Sequence, residues 1–95
     1  MRVMARVTIP VEAGNKAIAD GSIGTVMGGA AERWKPEAMY FTTYEAKRTA
    51  YIVFDLPDPS DIPSFSEPLF RGLECEIELF PVMNSDDLMA GLAKV

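Results

Sequence analysis

The sequence predicts an α+β fold built on a four-stranded antiparallel sheet. Three observations carry that prediction. Residues 2–9, 37–44, 49–56 and 73–80 alternate apolar and polar side chains with the period of a strand. Residues 11–34 and the segment around Ile62, Phe65 and Leu69 have helical spacing instead. Only the short polar stretch Glu45-Ala-Lys-Arg48 separates the second run from the third, which makes those two a hairpin.

In the first run Val3, Ala5, Val7 and Ile9 share one face, and Arg2, Met4, Arg6 and Thr8 share the other. Pro10 ends the strand, because it cannot donate to the ladder, and suits a helix entry. From Val11 to Trp34 the residues Ala13, Ala17, Ile23, Met27, Ala30 and Trp34 recur at helical spacing. Asp20-Gly21-Ser22 is the expected break, with Asp20 or Ser22 capping the second segment. Lys35-Pro36 stops it, since the residue before proline avoids helical geometry.

The second strand turns Met39, Phe41 and Thr43 one way and Tyr40, Thr42 and Tyr44 the other. The third places Ala50, Ile52, Phe54 and Leu56 on its apolar face. Pro57-Asp-Pro-Ser60 is a connection to a short helix with Pro63 in its first turn, a kink at Pro68 and a left-handed stop at Gly72. The last strand, 73–80, points Leu73, Cys75, Ile77 and Leu79 inward. Asn84 or Ser85 caps a C-terminal helix reaching Leu92.

Right-handed crossovers leave one compact arrangement for this order of elements. It is the ferredoxin-like βαββαβ fold, with strand order 4-1-3-2, both helices on one face and a short helix appended. The whole chain, 1–95, forms this single domain, and its 48% hydrophobic residues suffice for one core.

Composition also narrows the function. With no histidine, the chain lacks Ser-His-Asp and Cys-His catalysis, the usual zinc sites and a haem-binding histidine. No loop has calcium-site spacing, so the expectation is no cofactor, metal or haem. The net charge of −5 argues against nucleic acid and against anionic membranes as partners. The single cysteine forms no internal disulfide, and residues 1–10 alternate instead of making a leader-like apolar run, so a cytoplasmic location is expected.

The sheet face opposite the apolar rows needs a purpose. It carries Met4, Arg6 and Thr8; Tyr40, Thr42 and Tyr44; Tyr51, Val53 and Asp55; and Glu74, Glu76, Glu78 and Phe80. An exposed surface both aromatic and polar marks association or ligand binding. Two such faces meeting would enclose a semi-polar cavity, so a homodimer is expected. Arg6, Tyr40, Tyr51 and Glu76 are the expected ligand-binding residues, with Glu78 as the other carboxylate within reach of Arg6. The expected guest is a small anionic or aromatic molecule, since a guanidinium fork matches a carboxylate.

Five stretches carry a family resemblance: Lys35-Pro-Glu-Ala-Met-Tyr-Phe41, Lys47-Arg-Thr-Ala50, Asp58-Pro-Ser60, Glu67-Pro-Leu-Phe70 and Pro81-Val-Met-Asn84. Together with the element order they make the chain similar to bacterial proteins of the dimeric α/β-barrel superfamily that carry no assigned activity. That superfamily includes small cofactor-independent monooxygenases, muconolactone isomerase, chlorite dismutase-like proteins and stress-responsive barrel proteins. The resemblance implies a fold and a dimer. It carries over no catalytic residue: no asparagine stands on an expected strand, Trp34 ends a helix, and a haem histidine is missing.

Other motifs have structural explanations. Gly21-Ser-Ile-Gly24 and Gly28-Gly29 lack the lysine ending of a phosphate loop, and close helix-to-sheet packing explains them instead. Cys75 is read as a buried inert thiol, Trp34 as core, and Asp86-Asp87 as favouring a helix start. The functional expectation is a homodimeric small-molecule-binding domain. The alternatives are a cofactor-free monooxygenase or isomerase acting on an aromatic or lactone-like compound, and a purely structural dimer. In the enzyme alternative Arg6 orients an anion, Tyr40 or Tyr51 hydrogen-bonds, and Glu76 moves a proton.

Overall fold

A computed structural model describes all 95 residues. Strand β1 (Arg2–Ile9) leads into helices α1 (Val11–Ala19) and α2 (Ser22–Trp34). Strands β2 (Ala38–Tyr44) and β3 (Lys47–Asp55) follow, then a 3-10 turn at Pro59–Asp61, helix α3 (Ile62–Leu73), strand β4 (Glu76–Pro81) and helix α4 (Ser85–Leu92). The antiparallel sheet has the order β2-β3-β1-β4, which is the expected 4-1-3-2 arrangement counted from the opposite edge. No helix is long and apolar enough to cross a membrane.

The central strands supply the core as their alternation dictates. Val3, Ala5, Val7 and Ile9 of β1 and Ala50, Ile52 and Phe54 of β3 are all buried. Ala17, Met27, Phe65, Leu69 and Leu73 pack on them from the helices, so α1, α2 and α3 all cover one face. Phe54 stacks on Phe65 with ring centroids 4.3 Å apart, and Trp34 meets both edge-on at 5.6 and 5.8 Å. Trp34 is thus part of the core's aromatic knot, as its place on the apolar stripe predicts.

The expected break between α1 and α2 is present. Gly21 takes a left-handed conformation (φ 78°), and the Ser22 N–H donates to Asp20 Oδ1 at 2.8 Å. At the C-terminal helix Asn84 and Asp87 form a reciprocal capping box: Asp87 N donates to Asn84 Oδ1 at 2.8 Å and Asn84 N to Asp87 Oδ2 at 3.1 Å.

Four local expectations are corrected. The hairpin turn is two residues long: Tyr44 pairs with Lys47, and Glu45 and Ala46 both adopt positive φ (53° and 62°). Such a primed turn matches the strand twist, so β3 begins two residues earlier than the polar run suggests. Helix α3 continues through Pro68 and Gly72 and ends at Glu74, which takes the left-handed cap (φ 51°). Leu73 therefore belongs to the helix, and β4 starts only at Glu76. Gly72 instead allows close helix contact, because a Cβ there would stand 2.6 Å from Val26 Cγ2. Conversely Gly24, Gly28 and Gly29 pack against nothing: a Cβ at any of them meets no atom within 4 Å. Close packing does not explain those three glycines.

Candidate functional site

Strand register sets the geometry of the polar face. Tyr40 pairs with Tyr51, Tyr51 with Arg6, and Arg6 with Glu78, so one residue from each strand forms a single rung across the sheet. The next rung toward the hairpin reads Thr42, Thr49, Thr8 and Glu76. The rung on the other side reads Ala38, Val53, Met4 and Phe80. A line of charged and phenolic groups is thus flanked by a hydroxyl-rich band and an apolar band.

Three of the four expected site residues, Arg6, Tyr40 and Tyr51, share the central rung. Glu76 stands one rung away opposite Thr8, and Glu78 is the partner of Arg6. Arg6 donates to Glu78 Oε1 through Nη2 at 2.8 Å and through Nε at 3.3 Å. Its guanidinium also lies 4.4 Å from the centroid of the Tyr44 ring, which reaches across from the end of β2. Parity placed Tyr44 on this face, but a contact spanning an intervening strand is not a cross-strand pair and leaves no sequence signal.

The electrostatics follow from those contacts. The Glu78 hydrogen bond raises the Arg6 pKa above its ordinary value against partial desolvation, and Tyr51, the Glu78 charge and Tyr44 raise it further. The guanidinium is permanently cationic and held in one orientation. Both donors that meet Glu78 share a single oxygen, and Nη1 makes no hydrogen bond to the protein. Arg6 therefore retains donor capacity for an acceptor from outside the chain.

Within one chain this face is an open surface, because α1, α2 and α3 all pack on the other side. Tyr40 is 70% exposed, while Thr8 and Thr49 at the base of the hydroxyl band are buried. At the apolar end of the face, Arg2 donates to Glu37 and to Asp87 Oδ2 (2.8 Å), and the Met1 ammonium donates to Asp55 Oδ1 (2.8 Å). The charged groups of this cleft, about 640 Å³ in volume, pair with one another, and the Arg2–Asp87 pair ties α4 to β1. No three histidine, cysteine, aspartate or glutamate side chains cluster to hold a metal ion. No model of a protein family matches the sequence, and no curated protein matches it.

Proposed function

We propose that the protein is a homodimeric small-molecule-binding domain whose ligand lies between the polar sheet faces of two copies. The observation that carries this reading is the Arg6 guanidinium, oriented by Glu78 and Tyr44 and holding Nη1 free above an uncovered face. A carboxylate matches that donor, and the apolar rung of Met4, Val53 and Phe80 beside it suits an aromatic or aliphatic body. Exposed phenols around a half-buried guanidinium have the composition of an interface centre, where tyrosine and arginine are enriched. Helix α4 supports association as well. Leu88, Met89 and Leu92 are 44%, 65% and 55% exposed, and an isolated helix this short is not stabilised by propensity alone.

A second reading rests on the Arg6–Glu78 pair itself. With the charge balanced inside the protein, the two faces close as a packing surface and the dimer is structural. One experiment separates the two. Light scattering at micromolar concentration reads the mass, and titration with benzoate is followed by the Met4 methyl resonance. The binding reading expects a dimer and a saturable shift that Arg6→Met abolishes. A dimer without any shift supports the structural reading, and a monomer overturns both.

A further inference from the structure

We propose a second ligand site, on the helix side of the sheet, that takes a small carboxylate with an apolar acyl or aryl body and anchors it on Arg48. The pocket lies where β2, the edge strand, runs past the end of the helical layer. Ile9, Ile23, Met27, Phe41 and Ala50 form its apolar wall around about 370 Å³. That volume lies within the roughly 300–1,000 Å³ of small-ligand sites. Phe41 points to this side by strand parity yet is 63% exposed, because no helix covers it. An apolar side chain left open at the mouth of an apolar pocket is surface that a ligand's body would remove from water.

Arg48 supplies the polar end. Its Nη2 donates to Asn15 Oδ1 at 3.0 Å and its Nη1 to the Val11 carbonyl at 3.4 Å, both in α1. Both acceptors are neutral, and no carboxylate forms an ion pair with Arg48. The guanidinium is thus held in place while its full charge stays uncompensated, in a chain where acidic residues outnumber basic ones by 14 to 9. Gly14 makes that placement fit: a Cβ there would come within 2.6 Å of Arg48 Nη1. Position 14 lies inside α1, where alanine favours a helix more than glycine does, so glycine sacrifices local stability where it leaves room for the guanidinium. A fixed, uncompensated guanidinium at the rim of an apolar pocket fits a monoanion with a hydrophobic tail. A phosphate dianion would call for more than the one cation the pocket lining offers.

The test is a titration of methyl-labelled full-length protein with octanoate, with n-octanol and inorganic phosphate as comparisons. Octanoate is expected to shift the Met27 and Ile23 methyls saturably, and these shifts should persist in Arg6→Met, which removes any shift at Met4 on the opposite sheet face. Arg48→Met should weaken octanoate by about tenfold or more, as loss of a charged hydrogen bond does, while n-octanol binding stays the same. Gly14→Ala should keep the fold, displace the Arg48 guanidinium and also weaken octanoate. The proposal is overturned if octanoate and n-octanol bind alike, if Arg48→Met and Gly14→Ala both bind octanoate as the parent does, or if inorganic phosphate competes. A shift at Met4 with none at Met27 assigns the carboxylate to the Arg6 face and also overturns the second site.

Discussion

Gly72 of α3 lies so close to Val26 of α2 that a Cβ on the glycine would stand 2.6 Å from Val26 Cγ2. Valine is stiff at χ1, so it cannot swing its methyl aside without leaving its rotamer. Gly72→Ala is therefore expected to force α2 and α3 apart and lower stability by about 1–3 kcal/mol, despite the better helix propensity of alanine. Gly28 is the internal control, since a Cβ there meets nothing. Gly28→Ala should raise stability by about 0.5–1 kcal/mol. Urea denaturation of both variants checks the pair, and equal shifts of the same sign would remove the close-approach argument.

That contrast marks what the sequence carried and what it did not. The alternation of Val3, Ala5, Val7 and Ile9, and of Ala50, Ile52 and Phe54, identified the buried rows because side-chain parity survives any tertiary detail. The strand order followed from connection rules. Glycines have no side chain and so no readable direction, which is why Gly28 and Gly72 look alike in sequence and opposite in structure. The placement of the candidate residues was legible to within one rung. Parity put Arg6, Tyr40, Tyr51, Glu76 and Glu78 on one face, but choosing between the glutamates needs the register of β4 against β1. Arg48 is hidden in the sequence because residues 45–48 have the polar composition of a turn. A primed turn without asparagine or glycine gives no such signal, so the pocket-facing position of Arg48 at the start of β3 was missed.

The same turn gives the next expectation. Glu45 and Ala46 both hold positive φ, a conformation that costs a residue with a Cβ about 1–2 kcal/mol. Ala46→Gly should recover about 1 kcal/mol of that without touching the core. A thermal or urea midpoint unchanged or lowered by the substitution would show that the turn is unstrained.

Cys75 sets a pH dependence. Burial pushes its thiol up to about 11 from the ordinary 9.0. A raised folded pKa means that the folded state keeps the proton longer than the unfolded chain. The stabilisation is full below the unfolded thiol's pKa and is lost as pH climbs through the folded value. Stability should thus fall by about 2 kcal/mol between pH 9 and 11, with a slope that Cys75→Ala lacks. Thiol labelling at pH 8 should likewise be slow and rise in parallel with global unfolding. Fast labelling under native conditions would place the thiol at an accessible surface.

The last expectation separates Glu78 from Glu76. Both lie on β4 with the same parity, but only Glu78 stands opposite Arg6 and accepts its hydrogen bonds. A double-mutant cycle of Arg6→Met with Glu78→Gln should therefore show coupling, and the cycle with Glu76→Gln should show none. The size of the Arg6–Glu78 coupling also reports on the face itself. The Glu78 side chain is 62% exposed in the single chain, so water screens the pair and the coupling is small when copies are separate. If two faces close on each other, the pair loses that water and removing one partner strands the other charge. The coupling should then grow as protein concentration rises through the dimerisation range. A coupling independent of concentration would mean that the rung stays in open water, and the face would lose its claim to be an interface.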